Sequence, residues 1–171
     1  ALRDSGVAEL LPTVDAAVFD EAHQLVDAGV QFLGQTLGTA QTLELARDLL
    51  AVGNSQARGL APWQPLAAAI EIAARDLRLA LAGELREVRG MRKLRWDERA
   101  DCPELASALA RLSVALDEAA QTLAARLEIG PDMARLHQRA LEIVALARRF
   151  SEPAEEGRVR WIDLSAQQAR L

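Results

Sequence analysis

The sequence predicts a mainly α protein, an antiparallel four-helix bundle with short β segments at both ends. Three observations lead there. The chain is 50% hydrophobic but only 4% aromatic, and the Ala and Leu that supply most of its apolar mass lose little side-chain entropy in a helix. Between residues 39 and 150, four stretches carry apolar side chains at helical spacing, each with start and stop signals. The connections are mostly short, so the four stripes can be covered only by one another.

The first element is a strand. Val14, Ala16, Ala17, Val18 and Phe19 form an apolar run ended by Asp20 and Glu21, the pattern of a short buried strand. No other strand is expected in the first 150 residues. Gly29, Gly34 and Gly38 then interrupt a mildly helical segment, which predicts a loop or a broken helix.

The first helix is capped by Thr39 or Thr42 and stops near Val52 at Gly53-Asn54, with Leu43, Ala46, Leu49 and Leu50 on one face. The second begins between Pro62 and Pro65 and places Leu66, Ile70, Ala73, Leu77 and Leu81 in register before Gly83. A capping-box-like start at Asp101-Cys102-Pro103-Glu104 opens the third, whose Leu105, Leu109, Leu112, Leu116, Ala119 and Leu123 step in a nearly heptad rhythm. Pro131 opens the fourth, with Met133, Leu136, Ala140, Ile143, Val144, Ala147 and Phe150 on one stripe. After an acidic linker at 151–157, residues 158–164 alternate polar and apolar, as does one strand of a hairpin. Its second strand is expected beyond Leu171.

The bulk numbers set bounds. A length of 171 residues fits one ordinary domain. A single cysteine, Cys102, excludes an internal disulfide, and neither a signal peptide nor a run of about 18 apolar residues is present, so a cytoplasmic protein with no membrane association is expected. The first residue is Ala1, which suggests a piece of a longer chain. The net charge of -5 argues against a surface that attracts nucleic acid everywhere, and leaves room for a local patch.

Two features carry chemistry. Asp20-Glu21-Ala22-His23, at the carboxyl end of a hydrophobic strand, has the form of a Walker-B or motif II element. Nucleotide sites of α/β folds lie beyond the carboxyl ends of strands, where Asp20 would reach Mg²⁺ and Glu21 would orient and deprotonate the attacking water. The competing reading is a solvated helix start, with acidic residues meeting the dipole. The second feature is the basic run Arg86, Arg89, Arg92, Lys93, Arg95 with Trp96. These side chains suit phosphates and a stacking platform, or else a solvated face with Leu94 and Trp96 anchored in the bundle. A metal site from His23 and His137 lacks paired ligand spacing and is set aside.

The string from Leu11 to Leu25 around Asp20-Glu21-Ala22-His23, the opening Ala1 to Gly6, and Val159-Arg160-Trp161-Ile162-Asp163-Leu164 together resemble DinG/XPD-like superfamily 2 DNA helicases, especially their YoaA-like branch. The resemblance covers residues 1–34 and 158–171 as motor-domain segments; the middle, 35–157, agrees in being a helical insertion of suitable length, an Arch-like domain. It implies an ATP-dependent 5′-3′ DNA helicase of the repair or replication type, with ATP and Mg²⁺ in the parent protein. His23 then links the nucleotide site to the DNA side, and the Arch region helps to form a single-stranded DNA passage. It also implies a [4Fe-4S] cluster on cysteines upstream of motif II, and partners in the remaining motor and iron-sulfur domains of the same chain. The phosphate-gripping G-x-x-x-x-G-K-[ST] is missing from these residues, since the only lysine, Lys93, follows Arg92. The isolated chain is therefore expected to be inert. The alternative is a stand-alone helical-bundle interaction module in which the acidic tetrapeptide is incidental.

Overall fold

A computed structural model of the chain describes residues 16, 18, 20–25, 29, 34–85, 88, 90–155 and 157–171. The chain divides into two compact units, Ala1–Gln35 and Thr36–Leu171. Of the strand expected at 14–20, only Ala16, Val18 and Asp20 are among the described residues, and the expectation of a buried strand is corrected there: none of the three lies in a strand and all are exposed, Val18 to 97%. The regular element described in the first unit is a 3-10 turn at Ala22–Gln24.

The second unit contains the four expected helices: α1 at Thr39–Gln56, α2 at Trp63–Ala82, α3 at Pro103–Ala124 and α4 at Pro131–Ser151. Helix α1 packs on α2 and α4, and α3 packs on the same two, so the four close into a ring. Every apolar residue that the periodicity assigned to the stripes of α2, α3 and α4 is buried, with Leu81, Leu112, Leu116 and Ile143 fully so. In α1 the inward residues are Leu45, Ala46 and Leu49, while Leu43 and Leu50 lie at the margin. Alanines at the contacts, among them Ala46, Ala108, Ala140 and Ala147, are also fully covered. Their small side chains let the helices approach closely.

Half-exposed ion pairs join the helices around the ring. Arg139 meets Asp48 at 2.6 Å, Arg148 meets Asp117 at 2.7 Å, and Arg111 meets Asp76 at 3.3 Å. Pairs this wet contribute about 0–1 kcal/mol each. They therefore trim the register of a bundle held by its leucines.

Three helix ends differ from the sequence expectation. Neither Thr39 nor Thr42 caps α1: Gly38 holds the cap position and no side chain caps the helix. Helix α1 does not stop at Gly53-Asn54 but continues to Gln56. The reason is packing. A Cβ at Gly53 would stand 2.3 Å from a carbon of the Trp63 ring, so this glycine makes room for the indole instead of ending the helix. Trp63 is itself pinned, its Nε1 donating to the Ala57 carbonyl at 2.8 Å. At α3 the capping box does not form: Cys102 occupies the cap position and no side chain caps the helix. Pro103 sits in the first turn and forces the residue before it into the extended conformation that Cys102 adopts.

A small antiparallel sheet, in the order β1-β2-β3, covers the bundle: β1 at Arg92–Arg95, β2 at Trp161–Leu164 and β3 at Ala169–Arg170. Two expectations are corrected here. The basic run contains a strand that its charges concealed, and the hairpin begun at 158–164 closes within the chain. Arg92, Lys93, Leu94 and Arg95 stand opposite Leu164, Asp163, Ile162 and Trp161, while Asp163 and Leu164 stand opposite Arg170 and Ala169. Ile162, Leu164 and Ala169 are buried in the same core as the helices, with Leu94 packed against them. Arg78 of α2 adds a bond to the Ser165 carbonyl at 3.1 Å.

The two ends of this unit pair in one stem. Leu37 and Leu171 exchange two backbone hydrogen bonds of 3.0 Å, and Gly38 bridges Arg170. The next rung falls on Thr39, where helix α1 has already begun and the backbone is committed elsewhere. The buried Thr39 hydroxyl replaces the missing rung, accepting from Ala169 N–H at 3.0 Å and donating to the Ala169 carbonyl at 3.4 Å. Thr42, also buried, donates its hydroxyl to the Gly38 carbonyl at 3.0 Å. Both threonines thus act as joints between stem and helix.

Candidate functional site

The acidic motif lies in the first unit, and Asp20, Glu21 and His23 are all exposed. Asp20 Oδ1 accepts the Glu21 backbone N–H at 2.9 Å, and His23 Nδ1 lies 3.0 Å from Glu21 Oε2. Glu21 has φ 53 and ψ 44, the left-handed region, and its carbonyl accepts Gln24 N–H at 2.9 Å to start the turn. A non-glycine residue there costs roughly 1–2 kcal/mol. Both carboxylates are thereby presented to solvent, with the imidazole held on the second. Among the described residues, no three His, Cys, Asp or Glu side chains gather closely enough to hold a metal ion.

The basic run lies in the second unit, and Arg86 and Arg89 are outside the described residues. Arg92, Lys93 and Arg95 are exposed on β1. Lys93 Nζ stands 4.9 Å from the centroid of the Trp161 ring, and Arg95 lies 3.4 Å from Asp97. Trp96 opens a 3-10 turn at Trp96–Glu98 and packs against the core with Leu94. Its ring is 5.7 Å from Phe150, and the Arg160 guanidinium lies 5.4 Å from the Trp96 ring and 5.3 Å from that of Phe150. Arg160 also donates to the carbonyls of Arg149 at 2.9 Å and Glu152 at 2.6 Å. Burial lowers its pKa from the ordinary arginine value, and the neighbouring Arg149 adds to that. Trp96, Phe150 and Arg160 thus fasten the turn after β1 to the end of α4.

One aromatic residue was not singled out by sequence reasoning. Trp161 stands opposite Arg95 on the sheet face that carries Lys93, away from buried Ile162 and Leu164. The alternation at 158–164 marked the strand. Which side chains face outward became legible only with the register against β1.

The second unit is thus a helical bundle whose two chain ends pair at Leu37–Gly38 and Arg170–Leu171. The chain is 26% identical over all 171 residues to the ATP-dependent DNA helicase YoaA of Haemophilus influenzae, and 37% identical over 92 residues, 51% of the chain, to the protein of the same name from Escherichia coli. It is homologous to these helicases. The matches span 26% and 14% of the two proteins' lengths. No family model and no solved structure matches the chain with significance. Among the described residues, no helix is long and apolar enough to cross a membrane.

Proposed function

We propose that this chain is a piece of an ATP-dependent 5′-3′ DNA helicase, comprising motor-domain segments at 1–34 and 158–171 and an Arch-like helical domain at 35–157. The observation that carries the reading is the alignment to a DNA helicase over the whole chain, which takes in both the acidic tetrapeptide and the bundle. The paired stem supports the part of it that makes the bundle an insertion; in the structure 158–171 pack with that bundle.

In this reading Asp20 is the Mg²⁺ carboxylate of motif II. Mg²⁺ on a nucleotide takes one or two carboxylates with phosphates and water completing its shell, so one exposed carboxylate is a fitting donor set where a three-residue cage is not required. The ion supplies charge neutralisation on the phosphates when nucleotide is bound. Glu21 orients and deprotonates water, and its contact with His23 couples that carboxylate to the DNA side. A [4Fe-4S] cluster needs four thiolates, and Cys102 alone does not fit one. The chain by itself, without a phosphate-gripping loop, is inert. The basic run Arg86, Arg89, Arg92, Lys93 and Arg95, with Trp96, lines the passage for a single strand, the ligand of the parent protein.

The test is the ATPase activity of the longer protein that carries this chain, measured with and without single-stranded DNA. Hydrolysis stimulated by the strand is expected there, and none from the 171-residue chain. A longer protein that hydrolyses no ATP, or is indifferent to DNA, would overturn the proposal in favour of a helical interaction module.

A further inference from the structure

We infer that the outer face of the three-stranded sheet is a binding surface for single-stranded nucleic acid, with Trp161 as the stacking platform and Lys93, Arg95 and Arg170 as the phosphate contacts. This rests on the helicase reading for the choice of a nucleic acid, and goes beyond the basic run by moving the aromatic contact from Trp96 to Trp161 and adding Arg170.

The register builds the face. Directly opposed residues of an antiparallel pair share a side of the sheet, so Lys93, Asp163 and Arg170 form one row across the three strands and Arg95 with Trp161 forms the next. The opposite side is closed, because Ile162, Leu164 and Ala169 are 0–1% exposed against the helices. Neighbouring strands lie roughly 4.8 Å apart, so Lys93 and Arg170 stand about 10 Å apart on either side of Asp163, in the row next to the indole.

The chemistry suits a strand. Three cations meet two anions, Asp163 in the sheet and Asp97 beside Arg95, in a chain whose net charge is -5, so this small area still runs against the sign of the whole. Asp163 accepts Trp161 Nε1–H at 3.3 Å, which fixes the plane of the indole. Lys93 lies over that ring, 4.9 Å from its centroid. A base stacking on the indole displaces an exposed ammonium, which then turns to a phosphate. Arg95 and Asp97 meet at 3.4 Å with both side chains about 80% exposed, a pair that phosphate can compete for. Trp96 offers no comparable platform, since Phe150 and Arg160 already occupy its surroundings.

The experiment is fluorescence anisotropy of a labelled oligo-dT of about sixteen nucleotides titrated with the 171-residue chain over a range of salt. Wild type is expected to bind with quenching of tryptophan fluorescence. Trp161→Ala should weaken binding by about five-fold or more, and Trp161→Phe should retain most of it, as stacking on an aromatic ring requires. Lys93→Glu with Arg95→Glu should reduce the slope of log affinity against log salt by about 0.7 for each lost contact. Arg47→Glu with Arg75→Glu, exposed on α1 and α2, should leave that slope nearly unchanged. Absence of binding by wild type, or wild-type affinity in both the Trp161→Ala and the charge-reversed chains, would overturn the inference. If the charge-reversed chain binds DNA normally while the longer protein with the same changes loses activity, the face packs on protein and the inference is also wrong. Failure of the helicase reading shows separately, in the ATPase measurement of the wild-type longer protein, where this face is unaltered.

Discussion

Replacing Thr39 by valine probes the stem with one atom. The two side chains are nearly isosteric, so packing is kept, while the hydroxyl that stands in for a β rung is lost. Thr39 is 2% and Ala169 1% exposed, so water does not readily replace it. The Ala169 N–H loses its 3.0 Å acceptor and the Ala169 carbonyl its 3.4 Å donor. A buried polar group left without a partner costs about 1–3 kcal/mol. The longer of the two bonds is the weaker, so the N–H dominates and a loss of about 1–3 kcal/mol in total is expected. Urea unfolding of the 171-residue chain, followed by helical circular dichroism, measures it as a lower midpoint with an unchanged slope. Thr39→Ser, which keeps the hydroxyl, should recover most of the difference. A valine variant within 0.5 kcal/mol of wild type would refute the substituted rung.

Other consequences follow from single contacts. Gly53→Ala in a helix interior would ordinarily stabilise by about 0.5–1 kcal/mol; here the new methyl meets the rigid Trp63 ring at 2.3 Å, so a loss of about 1–3 kcal/mol is expected in thermal unfolding, and a gain would contradict the packing. Glu155 accepts a hydrogen bond from Arg149 at 2.6 Å and pairs with Arg158 at 2.6 Å, and the Arg149 bond in particular holds its pKa below the ordinary carboxylate value. A folded pKa below the unfolded one stabilises above the ordinary value and is lost as pH falls through the lowered one. The difference in stability between wild type and Glu155→Gln should therefore be present at neutral pH and vanish in acid; a difference that grows in acid would reverse the assignment.

The helices were legible because their information is local. Leu105, Leu109, Leu112, Leu116, Ala119 and Leu123 repeat at a spacing that one face of a helix alone satisfies, and all are buried. Gly53 misled because its signal as a stop is identical to its signal as a gap for Trp63. Strand β1 was illegible for the opposite reason. Three of its four residues are charged and exposed and only Leu94 is partly buried, so its order comes from β2, far along the chain. The same nonlocal pairing decides that Trp161 faces out. At the acidic motif the residue types were readable from the sequence, but not the left-handed backbone of Glu21 or its contact with His23.

In the proposed function Glu21 activates water in an ATP-driven motor on DNA. Glu21→Gln in the longer protein tests it most directly, with nucleotide binding and strand-stimulated ATP hydrolysis measured on the same preparation. Removing the general base while keeping the shape of the side chain should leave nucleotide affinity within a few-fold and lower hydrolysis by about 10²–10⁴-fold. Hydrolysis at the wild-type rate would contradict it, and would return Asp20 and Glu21 to a solvated turn.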